Sequence, residues 1–284
     1  MFRSFHNSLT RAQSKLMFGI CALFTVIILG LLGLVAGYLV SIGVGSLSWS
    51  FFTELPTGRP ESPGGMRHAI EGTVILIALA SFVGIPLGLL VGIYLAEYSK
   101  EWWLAGPVRF IADVLAGVPS IVVGILGYEL LVVPLGRYNG WAGAMALAFI
   151  MVPIVARTTE EMLRLVPNTY REASLALGAT KARTILRVVV PAATGSIVTG
   201  VMLAVARVAG ETAPLLFTAL GSRLLTRNPN QPFPSLTVQV FTYATGPYPE
   251  QKRLAWAGIL VLISLIFVLN LAIRYMARRP GIAS

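Results

Sequence analysis

The sequence predicts an all-α integral membrane protein, a six-span helical bundle. Two observations predict it. The 284 residues are 56% hydrophobic and only 12% charged, with a mean hydropathy of +0.77, whereas a soluble domain is about a quarter charged. Apolar runs long enough to cross a bilayer, about 20 residues, recur along the chain. The composition excludes a disordered chain and an ordinary soluble enzyme.

The elements follow in order. A basic start, 1–16, carries Arg3, Arg11 and Lys15. The apolar run 17–42 exceeds the roughly 7–15 residues of a signal-peptide core, so it reads as an uncleaved first helix. The remaining spans are 70–95, 111–135, 141–157, 192–220 and 254–276, within a core over 70–276, and 277–284 is a tail. Asp113 marks a short interfacial segment ahead of the third span proper, near Pro119. Pro86, Pro119, Pro134, Pro153 and Pro214 fall inside spans and favour kinks. Gly84, Gly88 and Gly92 recur every fourth position and line one helix face. That face packs closely against another helix of this chain or against a partner subunit.

Between the spans, 43–69 holds Pro56, Pro60, Pro63, Gly64 and Gly65, which disfavour regular structure. Residues 221–253 are rich in Pro, Asn, Thr and Tyr, and 158–190 is the one long charged stretch. Tyr243, Tyr248 and Trp256 read as interfacial anchors of the last span.

The basic excess, 22 Lys and Arg against 12 acids for a net +10, is explained by topology. With the amino terminus inside, fourteen basic residues fall on cytoplasmic segments and seven outside. This bias places both termini in the cytoplasm. The charges are dispersed and no aromatic groove accompanies them, which argues against nucleic acid as a partner. One cysteine, Cys21, lies in an apolar run and reads as inert packing. With two histidines, His6 and His68, no metal site is expected. No catalytic residue and no cofactor is expected either: G-x-S-x-G and G-x-G-x-x-G are absent. Gly178 and Lys181 lie in GATKART, which lacks the Gly-Lys-Ser/Thr succession of an ATP phosphate loop.

The charged loop is the most informative segment. Pro167 ends one helix. Thr169 and Glu172 have the spacing of a capping box, which would start a short helix. Gly178 sits where a left-handed helix end favours glycine. Thr180 caps the next helix, with a basic face of Lys181, Arg183 and Arg187, and Pro191 enters the fifth span.

Glu172-Ala173-Ser174, then Gly178, then Val188-Val189-Val190-Pro191 match the spacing of the E-A-A…G…I-x-L-P motif of ABC importer permeases. Ser174, Val188 and Val190 are the departures. Longer runs over about 64–276 resemble phosphate-specific permeases, among them DVLAGVPSIVVGILGY (113–128) and ARVAGETAPLLFTAL. RTTEEMLRLVP and the short amino-terminal region resemble the A-type subunit, the PstA family.

This resemblance implies the type I (MetI-like) permease fold and a transport subunit that hydrolyses no ATP itself. It implies that Glu172, Ala173, Ser174, Leu177 and Gly178 dock on an ATPase dimer. A second, C-type permease and an external phosphate-binding protein would complete the importer. It would sit in the bacterial plasma (inner) membrane and carry inorganic phosphate. Molybdate or sulfate is the alternative cargo, and an ion-coupled secondary anion transporter is the alternative class.

A phosphate path needs groups that replace the anion's water, and Arg stays charged and offers a planar fork of donors. Arg207 lies mid-span, four residues before Glu211, a spacing that shares a helix face. A charge at this position is a functional-site hypothesis by default. The pair is either structural, or a gate in which Glu211 neutralises Arg207 until the anion displaces it. Glu97, Lys100, Arg109 and Asp113 read as interfacial, and Glu129 as a structural pair across helices.

Overall fold

A computed structural model describes residues 2–59, 61–99 and 103–277. Within hydrocarbon every N–H and C=O must be bonded inside its own segment, so the apolar runs become helices. Four long helices are α1 (Phe2–Ser46), α3 (Arg67–Glu97), α7 (Gly140–Arg164) and α13 (Pro249–Ala277). A fifth span is composite: α9 (Lys181–Thr184), a π turn (Ile185–Val189) and α10 (Val190–Ala209). A sixth apolar stretch is a bent pair. Helix α4 (Ala105–Gly117) meets the segment from Ser120 to Leu135 at 104°. That segment holds α5 (Ser120–Gly127), a π turn (Tyr128–Val132) and α6 (Val133–Leu135). Five helices are long and apolar enough to cross a membrane, and this bent pair, counted as one span, makes six among the described residues. A separate helix, α4, precedes Pro119, and Pro119 is the N-cap of α5.

The centre of the bundle is α3 against α7. Gly84 faces Met151, Gly88 faces Val155, and Gly92 faces Thr159 and the Ala156 carbonyl. A Cβ at Gly92 would lie 2.5 Å from the Thr159 Cβ, so only glycine admits this approach. The glycine stripe is therefore spent on packing within this chain. Leu76, Ala80, Leu147, Met151, Val155 and Leu163 fill the core around it. Helix α10 lies on the other side of α7, with Gly200 against Thr158.

Several expectations are corrected. Of the five prolines, Pro86 and Pro153 lie inside long helices, and Pro119 instead caps one. Pro134 lies within the continuous segment Ser120–Leu135, directly after its π turn, as expected, whereas Pro214 sits in the first turn of a new helix, where the missing N–H costs nothing. The run 192–220 is not one helix: α10 stops at Ala209, and a new short helix, α11 (Ala213–Thr218), begins after Gly210–Thr212. The fourth span runs seven residues past 157, because 158–164 continue α7.

Residues 43–69 are more regular than their prolines suggest. They form α2 (Trp49–Thr53) and an antiparallel hairpin, β1 (Pro56–Arg59) with β2 (Ser62–Gly64). Gly58 and Gly64 supply its positive φ angles.

Tyr243 is a buried residue of α12 (Leu236–Thr245) and packs the core, so it is no interfacial anchor. Burial raises its phenol pKa above the ordinary value. Trp256 stacks edge-on with Tyr38 at 5.7 Å, and Tyr248 is exposed. Helix α1 joins the bundle near its end, there and where Gly43 meets Leu260. Cys21 is exposed on α1, because that stretch of the helix is not buried by any of the described residues. Lys100 and the tail beyond Ala277 lie outside the described residues.

Candidate functional site: an exposed short helix and an arginine at a helix break

At one end of the bundle, α7 stops and the chain turns into α8 (Asn168–Ala176). The capping box does not form. Pro167 takes the N-cap position, with φ −58° and ψ 141°, and has no side-chain acceptor. Thr169 is thereby pushed into the first turn of the helix. The far end matches expectation. Gly178 has φ +81° and donates to the Leu175 carbonyl at 2.9 Å, and Ala179 donates to Ser174 at 3.2 Å. This is the Schellman arrangement. Thr180 accepts from the Arg183 amide and caps α9.

Helix α8 buries no residue. Leu177 is 90% exposed, with Leu175 and Tyr170 also open. Glu172 and Ala173 are exposed beside them, and Glu172 forms no ion pair among the described residues. Ser174 turns inward, its Oγ 2.8 Å from Thr184 Oγ1. A short, sharply ended helix with bare leucines and one free carboxylate is a docking surface for another protein.

The second candidate is Arg207. It lies in the last turn of α10 and is exposed on the surface of this chain. The pair with Glu211 is absent. The helix ends at Ala209, so Glu211 leaves the face that four-residue spacing requires. The Glu211 carbonyl instead accepts from Thr237 Oγ1 at 3.0 Å.

Depth follows from neighbours. Gly200 packs on Thr158, and Leu215 and Ala219 pack on Gly143. Arg207, about 10 Å beyond Gly200 along α10, thus stands near the middle of α7. Helix breaks at mid-bundle occur where side chains or cavities receive the freed backbone groups. Towards the α8 end, a crevice of about 600 Å³ opens between α7, α10 and α13, lined by Thr158, Ser196, Thr199, Gly200, Phe267 and Asn270. It adjoins the exposed face of α10 that holds Thr199, Leu203 and Arg207.

Charges that sequence reasoning left as interfacial or uncounted form networks. Glu160, buried on α7, receives Arg109 of α4 at 2.7 Å, Arg164 at 2.7 Å and Arg157 at 3.5 Å. Arg157 also holds Asp113 at 2.9 Å. The signal was present as i,i+3 and i,i+4 spacings in 157–164, hidden because these residues read as loop. Glu97 pairs with Arg171 at 2.6 Å. Glu129 is exposed and forms no ion pair among the described residues, against the expected cross-helix partner.

Comparison with known proteins fits this architecture. Residues 84–281 match the family described as binding-protein-dependent transport system inner membrane component. The phosphate transport system permease protein PstA of Yersinia pestis is 45% identical over 83% of this chain and 80% of its own length. The chain belongs to the PstA family of binding-protein-dependent permeases. The Haemophilus influenzae PstA is 40% identical over 93% of both chains. A probable PstA of Methanocaldococcus jannaschii is 38% identical over 75% of this chain and 76% of its own. Among solved structures, an inward-facing MetNI methionine ABC transporter chain aligns with a TM-score of 0.59 at 21% identity, over 75% of this chain and 96% of that one. That likeness supports the MetI-like permease fold. As a PstA-family permease, the chain is a multi-pass membrane component of an ABC importer that acts with partner subunits, and a transport component rather than an enzyme.

Proposed function

We propose that this chain forms, with a second homologous permease, the path for inorganic phosphate through an ATP-driven importer of the bacterial plasma membrane. The observation that carries this reading is the breadth of the PstA likeness, which spans four-fifths or more of relatives named as phosphate permeases. An ATPase dimer would bind α8 through Glu172, Ala173, Ser174, Leu177 and Gly178. The exposure of this face, with a free carboxylate and bare leucines, supports that role. The basic bias of the loops supports a cytoplasmic location for α8 and for both termini. An external phosphate-binding protein would dock at the opposite end.

Arg207 is the phosphate-facing group in this reading. A guanidinium without a carboxylate at mid-bundle depth is stabilised by an anion that shares its low-dielectric surroundings. Glu211 is not its neutraliser in this conformation, so an anion need not displace an internal partner first. Facing outward from its own chain, Arg207 lines a cavity completed by the second permease.

The test is ATP hydrolysis by the purified complex in liposomes, with phosphate, sulfate and molybdate compared. Stimulation by phosphate-loaded binding protein supports the reading. Stimulation by sulfate or molybdate instead overturns the substrate.

A further inference from the structure

A lever moves only what it is fastened to, and α8 buries none of its own residues. Apolar packing therefore does not fasten it. Polar contacts do: Ser174 meets Thr184 of α9, at the start of the fifth span, and Arg171 reaches α3 and α7. The Arg171 guanidinium donates from Nη2 and Nε to both oxygens of Glu97, at 2.6 and 3.2 Å. Nη2 also donates to the Leu163 carbonyl at 2.9 Å, and Nη1 to the Val166 carbonyl at 2.6 Å. Glu97 is the last residue of α3, and Leu163 and Val166 sit at the end of α7. A single group thus ties α8 to two transmembrane helices. The Glu97 side chain is 6% exposed and that of Arg171 18%. The pair is charge-assisted and bidentate, and the cation lies on carbonyls at a helix C-terminus, where the dipole favours it.

We infer that the Arg171–Glu97 joint is the positioning element through which motion of the docked α8 reaches the transport path. Arg171 and Glu97 touch neither ATP nor phosphate; they act through α8 and α3. The glycine seam makes α3 and α7 one rigid unit, so displacing Glu97 displaces both helices. At its other end α7 packs Gly143 on Leu215 of α11 and on Ala219 just past it, beyond the break after Ala209. A second tie reinforces the geometry: Lys181 Nζ lies 4.4 Å from the centre of the Tyr98 ring, one residue past Glu97. This inference rests on the proposed coupling of α8 to an ATPase dimer.

The experiment uses the full complex in liposomes, with phosphate-loaded binding protein as the stimulus. Glu97→Gln keeps shape and removes charge, and Arg171→Lys keeps charge and removes the fork. Both variants are expected to retain the ATPase subunits and the unstimulated rate. The stimulated rate and phosphate uptake should each fall about tenfold, within the 5–150-fold typical of coupling between sites. A merely structural role would instead lower unstimulated and stimulated rates together.

Rescue is the second measurement. A Glu97→Cys, Arg171→Cys pair on a Cys21→Ser background, joined by a short bis-thiosulfonate linker, should regain stimulation that the unlinked pair lacks. Wild-type stimulation in both single variants, or no gain on linking, overturns the joint. If the unmodified complex responds to sulfate instead, the phosphate reading fails, and the same variants test the joint with sulfate.

Discussion

The α8 end of the molecule and the break after α10 both carry charged side chains, and they treat them in opposite ways. Where α3 and α7 meet α8, the acids are paired: Glu160 has three arginines and Glu97 has the Arg171 fork. At the break, Arg207 has no carboxylate among the described residues, because the helix that would present Glu211 has ended. Saturated charges hold one geometry, since releasing any partner leaves the other desolvated. An unsaturated charge is open to a ligand. The difference separates the part that transmits force from the part that meets cargo.

The rigid half is broken most severely at the helix seam. In Gly92→Leu the new side chain begins 2.6 Å from the Ala156 carbonyl, a backbone atom that cannot rotate away. Separating α3 from α7 is expected to cost at least about 3 kcal/mol, the upper range for overpacking. The purified complex should lose thermal stability and accumulate poorly. A variant as stable as wild type would show that the two helices already separate at little cost.

Next in size is Glu160→Gln, which leaves Arg109, Arg157 and Arg164 facing a neutral amide. Breaking a buried pair costs about 3–5 kcal/mol, and the partial exposure of the three arginines puts the expected loss at or below the low end, about 2–3 kcal/mol. Denaturant or thermal unfolding of the complex measures it. No loss would mean that the network is solvated and that the α8 end is not the saturated region described.

The unsaturated half is tested by Arg207→Gln. The complex should assemble with normal stability, since no internal partner is orphaned. Phosphate uptake should fall at least about tenfold, equivalent to 1.4 kcal/mol. Normal uptake would remove Arg207 from the path. A large drop in stability would return it to a structural role.

These contrasts were only partly legible in the sequence. The spans could be read because about 20 apolar residues have one stable form in hydrocarbon. Gly178 and Thr180 could be read because a left-handed turn and an N-cap are local chemistry. The capping box at Thr169 could not, because Pro167 competes for the same position and wins it by its fixed φ. The Arg207–Glu211 pair failed for a related reason: periodicity assumes a continuous helix, and Gly210 ends it. Glu97 with Arg171 is separated by 74 positions, so no local pattern announces it.

The smallest effect bears on how stiff the α8 end must be. Gly178 is needed for its backbone and not for space: nothing lies within 4 Å of a Cβ placed there, yet its φ is +81°. Gly178→Ala should therefore cost only the left-handed penalty, about 1 kcal/mol. Gly178→Asn should cost less, since asparagine visits that region more readily. If α8 works as a lever, this local loosening appears as weaker stimulation of ATP hydrolysis, graded Gly above Asn above Ala, while the melting temperature of the complex barely moves. Equal stimulation in all three would mean that the end of α8 can fray without loss. The transmitted force would then pass wholly through Arg171, nearer the start of the helix.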